Sequence, residues 1–158
     1  MSKLTTCLWH DGTAEEAARF YVSLLPGSRI DRVSKAVIDW PAGKAGDTLF
    51  VLFTLAGQPY MALNAGPGEK PNPAVSIAVS CEDQAEVDRL WAALREGGRE
   101  IQCGWLTDRY GLAWQIVPRV LMEMIQDPDA EKARRVTEVM VSMVKLEIEP
   151  LRRAYDAG

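Results

Sequence analysis

Few side chains in this sequence are equipped for chemistry, and each has a structural role that competes with it. Cys7, Cys81 and Cys103 are odd in number and widely spaced, and no two of them form the two-residue-separated pair that clamps a metal. Reduced, mostly buried thiols are the expectation. Cys103 would act as a nucleophile or redox sensor only beside a positive group or a helix N-terminus that lowers its pKa, and no neighbouring histidine supplies one. The single histidine, His10, follows Thr5, Cys7 and Trp9, which alternation sets on one strand face, so its ring is expected on the other side or in the turn. Asp108 and Arg109 flank a tight turn and read as a solvated pair rather than acid–base machinery. Glu15 and Glu16 suit the positive end of a helix. Trp9, Trp105 and Trp114 have the surface to stack on a flat ligand, and such residues serve equally to pack a core or a subunit interface.

The elements that must position these groups follow from periodicity. Residues 4–9 are a run of β-formers, and Asp11-Gly12-Thr13 supplies a turn and a cap before a helix with apolar residues at Ala17, Phe20, Tyr21 and Leu24. Pro26-Gly27 closes that helix. Strands are expected at 30–38, 47–55 and 58–64, separated by Trp40-Pro41-Ala42-Gly43 and Ala56-Gly57. The first half therefore reads βαβββ. A second series begins after a proline-rich and glycine-rich loop: strand 75–80, helix 84–96 ended by Gly97-Gly98, and strands 101–106 and 111–117. Sliding the sequence by 71 positions sets Ala14 on Ala85, Glu15 on Glu86, Phe20 on Trp91, Gly27 on Gly98 and Ile30 on Ile101, so an internal duplication accounts for the order.

From Arg119 the pattern becomes helical, with Val120, Leu121, Met124 and Ile125 on one stripe and Asp127-Pro128-Asp129 as a restart. A last long helix carries Ala133, Val136, Met140, Met143 and Val144 on one face, with Leu146 and Ile148 near its end and Pro150 as a break or restart. A methionine stripe of this kind is expected in a core.

At 158 residues and 47% hydrophobic content the chain suits one domain with a continuous core. Module one is expected at about 3–65, module two at about 73–118 and C-terminal helices at about 119–156. A net charge of -4, a pI near 5.1 and the lack of a basic run argue against nucleic acid or an anionic membrane as partner. Met1-Ser2-Lys3-Leu4-Thr5-Thr6-Cys7 lacks the pattern of a secretory leader, and the longest apolar stretch, near 49–56, is too short for a bilayer, so a cytoplasmic protein is expected.

Cys7-Leu8-Trp9-His10-Asp11, Ala14 through Tyr21, Met61-Ala62-Leu63-Asn64 and the block from Gln102 to Pro118, with its Cys-Gly-Trp-Leu and Trp-Gln-Ile-Val-Pro runs, resemble the PhnB-like family. That family belongs to the glyoxalase, bleomycin-resistance and extradiol-dioxygenase (vicinal-oxygen-chelate) superfamily and is often labelled demethylubiquinone methyltransferase-like. Arg134-Arg135-Val136 through Ala154-Tyr155 resembles the family's C-terminal helices, whereas His10 departs from the aromatic residue more usual there.

The resemblance implies an α+β fold of two βαβββ modules whose curled sheets form an open barrel, commonly completed by a second chain, so a homodimer is expected. Active members of the superfamily hold a divalent metal at four strand positions, which carry across to Thr5, Ser76, Gln115 and Met61, with Leu63 as the alternative to Met61. None is a histidine or a carboxylate, and hard or borderline divalent ions need imidazole nitrogen or anionic oxygen. Neither a metal nor another cofactor is expected.

A pocket is expected without one. Alternation turns Thr5, Cys7, Trp9, Met61, Leu63, Ser76, Cys103, Trp105 and Gln115 inward, as apolar walls with a few polar handles for a small-molecule ligand of unknown identity. The same residues, with Ala78 and Ala113, could instead simply fill a barrel. The functional expectation is a metal-independent binding protein or a low-efficiency enzyme. Its alternatives are methyl transfer to a quinone-like phenol, as the family label says, and a lyase or isomerase reaction of the superfamily. Adenosylmethionine enzymes of the common kind need a glycine-rich turn after a strand, and Gly43-Lys44-Ala45-Gly46, Ala65-Gly66-Pro67-Gly68 and Gly97-Gly98 read as loops or a cap instead.

Overall fold

A computed structural model describes residues 3–157, so Met1 and Ser2 of the leader reading lie outside the described residues. The chain divides into two compact units at the boundary between Pro71 and Asn72.

The first unit runs β1 (Thr6–His10), α1 (Ala14–Leu24), β2 (Arg29–Lys35), β3 (Thr48–Leu55) and β4 (Gln58–Asn64). Its sheet has the order β1-β4-β3-β2, with β1 parallel to β4 and the other pairs antiparallel. The apolar stripe of α1, Ala14, Ala17, Ala18, Tyr21 and Leu24, is buried, as are Val51, Phe53, Leu55 and Ala62 on the strands it covers. Small residues on the helix let the backbone approach the sheet, while Tyr21 reaches the Phe53 ring, with centroids 6.3 Å apart. The strand expected at 30–38 ends at Lys35, and residues 36–47 form an ordered loop. Its backbone is tied by Ala36 N–H to Asp47 O, Gly46 N–H to Ala36 O and a Trp40–Gly43 bridge, so Val37 and Ile38 extend into solvent instead of continuing the ladder.

The second unit repeats the order as β5 (Ser76–Cys81), α2 (Gln84–Arg95), β6 (Arg99–Glu100), β7 (Trp105–Thr107) and β8 (Ala113–Pro118), in a sheet β5-β8-β7-β6. Parallel pairing of first and last strands recurs here. The duplication read from the 71-residue offset is therefore a duplication of topology, although β6 and β7 have two and three residues where β2 and β3 have seven and eight. A buried layer of Val87, Leu90, Trp91 and Leu94 from α2 meets Leu106, Trp114 and Ile116. Asp83 caps α2 by accepting from Glu86 N–H at 2.9 Å.

The chain then adds α3 (Arg119–Ile125), α4 (Ala130–Val141) and α5 (Ile148–Asp156). Leu121, Met124, Val136, Leu146 and Leu151 form their own core, with Met140 and Met143 packed against it, as the methionine stripe predicts. The last long helix is shorter than expected: it stops at Val141, Val144 is exposed, and Pro150 sits in the first turn of a separate helix, where its missing N–H costs nothing.

Candidate functional site

Pairing register assigns every strand residue of the first unit to a face. Across the sheet, Trp9 pairs with Leu63, Leu63 with Phe50 and Phe50 with Ser34; one pleat along, Cys7 pairs with Met61, Met61 with Leu52 and Leu52 with Arg32. These rows lie on the face opposite α1, because the intervening residues Ala62, Val51 and Phe53 are the ones buried under the helix. Cys7, Trp9, Met61 and Leu63 therefore share one apolar face, and Thr5 leads into it just before β1. The indole N–H of Trp9 donates to Gly66 O at 2.7 Å, which holds that ring at the far end of the face.

The second unit has the equivalent open face, bearing Ser76 and Ala78 from β5, Gln115 from β8 and Trp105 from β7; Ala78 is in register with Gln115 and Gln115 with Trp105. The Gln115 side-chain amide donates to Ser76 Oγ at 2.9 Å. That bond turns the amide nitrogen toward the serine and leaves the Gln115 carbonyl oxygen and the Ser76 hydroxyl proton as an adjacent acceptor and donor.

Cys103 is placed differently from its expectation. Residues 101–104 are not strand: Gln102 to Trp105 is a tight turn with Cys103 at φ 57 and Gly104 at φ 80, closed by Trp105 N–H to Gln102 O. Positive φ at both central residues is the geometry of a type I′ turn, which glycine signals at only one of the two positions. The Cys103 and Gly104 N–H groups donate to Met143 O and Val144 O at 2.8 Å, so the turn anchors the segment between α4 and α5. Strand alternation therefore does not set where the Cys103 thiol points.

His10 lies on the helix side of β1, 5% exposed, with Nδ1 3.2 Å from Thr13 Oγ1. Burial pushes its pKa down to about 4, so the ring is neutral at pH 7. Thr13 does not cap α1 through its side chain; Asn64 Oδ1 accepts the Ala14 N–H at 3.0 Å instead, while its Nδ2 donates to Thr48 O. Asp108 is buried, contrary to the solvated pair its turn position suggests. It is 3% exposed, and its carboxylate accepts from Tyr110 N–H, Leu112 N–H and Trp114 Nε1, so it organises the β7–β8 turn rather than forming a solvated pair. Trp114 is thereby a core residue. Burial raises the pKa of Cys81 to about 12, which holds it as a thiol at neutral pH; Cys7, expected to be buried, is exposed, and only partial desolvation raises its pKa.

The positions carried across for a divalent ion do not fit one. They offer the hydroxyls of Thr5 and Ser76, the thioether of Met61 or the alkyl group of Leu63, and a Gln115 amide already engaged with Ser76. Among the described residues, no three His, Cys, Asp or Glu side chains are gathered as a metal-binding group. Gly43 and Gly46 lie between β2 and β3, Gly66 and Gly68 follow β4, and Gly97 and Gly98 follow α2, so these glycines do not form a nucleotide turn that leaves a strand and opens a helix.

Sequence reasoning did not single out Arg29, Asp31, Thr54 and Tyr60, which line a cavity of about 470 Å³ with Thr5 at the other end of the first sheet. Only the bulge in β2 brings Asp31 there, and residue types do not signal that bulge.

The fold is thus a pair of βαβββ units, each with its first and last strands parallel. The profile of the 3-demethylubiquinone-9 3-methyltransferase family matches residues 2–117, and the chain belongs to that PhnB-like family. A solved Bacillus cereus PhnB protein carrying the same methyltransferase description is 34% identical, with 74% of this chain and 99% of that one aligned at a TM-score of 0.68. A Pseudomonas aeruginosa protein of solved structure is 26% identical over 72% of this chain and 95% of its own, at a TM-score of 0.58. No curated protein matches the chain. The family profile ends at residue 117, ahead of α3.

Proposed function

We propose that this chain binds a small neutral molecule without a metal, using the open sheet face that carries the Ser76–Gln115 pair. The observation that carries this reading is the 2.9 Å bond between those two side chains, at positions where a metal-dependent relative would need imidazole or carboxylate. A donor and an acceptor held side by side suit a carbonyl, amide or hydroxyl group on the ligand, with Trp105 in the same row to stack on a flat body. Charge is not required of the ligand, because neither handle is ionised. The protein works as a cytoplasmic homodimer in this reading; among the described residues, no helix is long and apolar enough to cross a membrane.

Native mass spectrometry of the protein taken directly from cell extract tests the proposal. A discrete small-molecule mass that is retained by the unmodified chain and lost in Gln115→Leu supports it. Loss of nothing on that substitution, or a mass that is a metal ion, overturns it. Light scattering checks the dimer, and a monomer throughout the micromolar range contradicts that part.

A further inference from the structure

We infer a second binding site, for a small carboxylate with an apolar body, at the corner of the first sheet where Arg29 is held by Asp31. It is built from residues of the first unit alone, whereas Ser76 and Gln115 belong to the second, and nothing in the reading above depends on it.

The corner is built by a bulge. In the β2–β3 ladder Arg29 pairs with Thr54, Ile30 with Phe53 and Arg32 with Leu52, so Asp31 is the extra residue on β2. The displaced Asp31 carboxylate reaches both neighbours at once: Oδ1 lies 2.8 Å from Arg29 Nε, and Oδ2 accepts from Thr54 Oγ1 at 2.6 Å. Thr54 is 8% exposed, so one end of this chain of contacts is fixed in the sheet while the arginine, 66% exposed, projects outward. A guanidinium tethered through Nε keeps its two terminal amino groups as a pre-oriented fork, the geometry that matches a carboxylate with two parallel hydrogen bonds.

The same groups border the cavity of about 470 Å³. Leu52 and Pro59 supply its apolar wall, while the Tyr60 ring stacks on Phe53 on the helix side of the sheet, with centroids 5.4 Å apart. Thr5 also borders the cavity. Because Asp31 balances Arg29, the corner has little net charge, and selectivity for carboxylate comes from the fork rather than from a general positive field. Two further cavities offer no comparable group: one is lined by Asp88, Lys145, Arg95 and Glu100, already paired among themselves, and one mainly by acidic residues with Arg152.

Nitrogen-detected NMR titration of the full chain with benzoate, and with benzamide as its neutral isostere, tests the site. Benzoate is expected to saturate with a dissociation constant on the order of 1 mM, shifting amides at 29–31, 52–54 and 60 and leaving 76, 105 and 115 unmoved. Benzamide and the Arg29→Gln variant should each bind at least about tenfold more weakly. Asp31→Asn, which frees the guanidinium to wander, should weaken benzoate by a smaller factor. Arg29→Lys gives a second variant that keeps the charge and loses the fork, and it is expected to behave like Arg29→Gln. Equal binding of benzoate and benzamide, full affinity in Arg29→Gln, or shifts confined to 76, 105 and 115 would each overturn the inference; the last would leave the neutral-ligand reading intact.

Discussion

Gln115 reaches back across the parallel β5–β8 pair to place its side-chain amide 2.9 Å from Ser76 Oγ, although its backbone partner is Ala78. The contact couples the first and last strands of the second unit through side chains alone. In the proposed reading it also decides what the face recognises, since a neutral amide and hydroxyl are poor ligands for a divalent ion and good partners for a carbonyl or hydroxyl group.

Both side chains are only partly buried, so the bond itself adds little to stability. Ser76→Ala and Gln115→Leu are each expected to change the unfolding free energy by no more than ~1 kcal/mol, measured by urea denaturation. A loss of several kcal/mol would show that the pair is structural.

His10 makes stability pH-dependent in a stated direction. Its folded pKa of about 4 lies below its ordinary value of 6.5, so the unfolded chain takes up a proton first as pH falls. Above pH 6.5 both states are neutral there and the ring contributes no pH dependence. Between 6.5 and 4 protonation favours the unfolded chain by up to roughly 3 kcal/mol in total. Comparing denaturation of the unmodified chain and His10→Gln at pH 7 and pH 4.5 isolates this effect from the carboxylates: the variant should lose less stability on acidification. Parallel losses would place the ring in solvent.

Asp108→Asn tests the turn between β7 and β8. The carboxylate accepts from two backbone N–H groups and an indole, at 2.8, 3.1 and 2.9 Å, and an amide must turn its NH2 toward one of those donors. A destabilisation of about 2–3 kcal/mol is expected, with a change in Trp114 fluorescence. An unaffected melting curve would contradict the buried assignment.

Gly104 tests how the C-terminal helices are held. Its φ is +80, and an added Cβ would lie 2.8 Å from Ile116 O and from Leu146 Cδ1. Gly104→Ala is expected to cost about 2–4 kcal/mol and to raise amide exchange at Met143 to Leu146 first. Uniform exchange across the chain would show that the turn and the helices are not coupled in this way.

Much of the architecture was legible because it rests on periodicity. The α1 stripe, the β4 alternation through Met61, Ala62, Leu63 and Asn64, and the duplicated order of elements all follow from which residues must face a helix. The failures occur where tertiary contacts override local pattern. Asn64 caps α1 from fifty residues away, which no local motif announces. Cys103 adopts positive φ because its N–H and that of Gly104 are taken by Met143 O and Val144 O, so a run of strand-forming residues becomes a turn. Asp108 looked solvated because acidic turn residues usually are, and only the position of the Trp114 indole shows otherwise. The open faces were readable from alternation, whereas the Arg29–Asp31 corner depends on a bulge of one residue.

Calorimetric titration of the metal-stripped chain with manganese, nickel, zinc and ferrous iron tests the central claim most directly. No saturable uptake is expected at micromolar concentrations, because Thr5, Met61, Ser76 and Gln115 supply no imidazole or carboxylate. One equivalent of any of these ions bound with micromolar affinity, and lost in Gln115→Leu, would contradict the account.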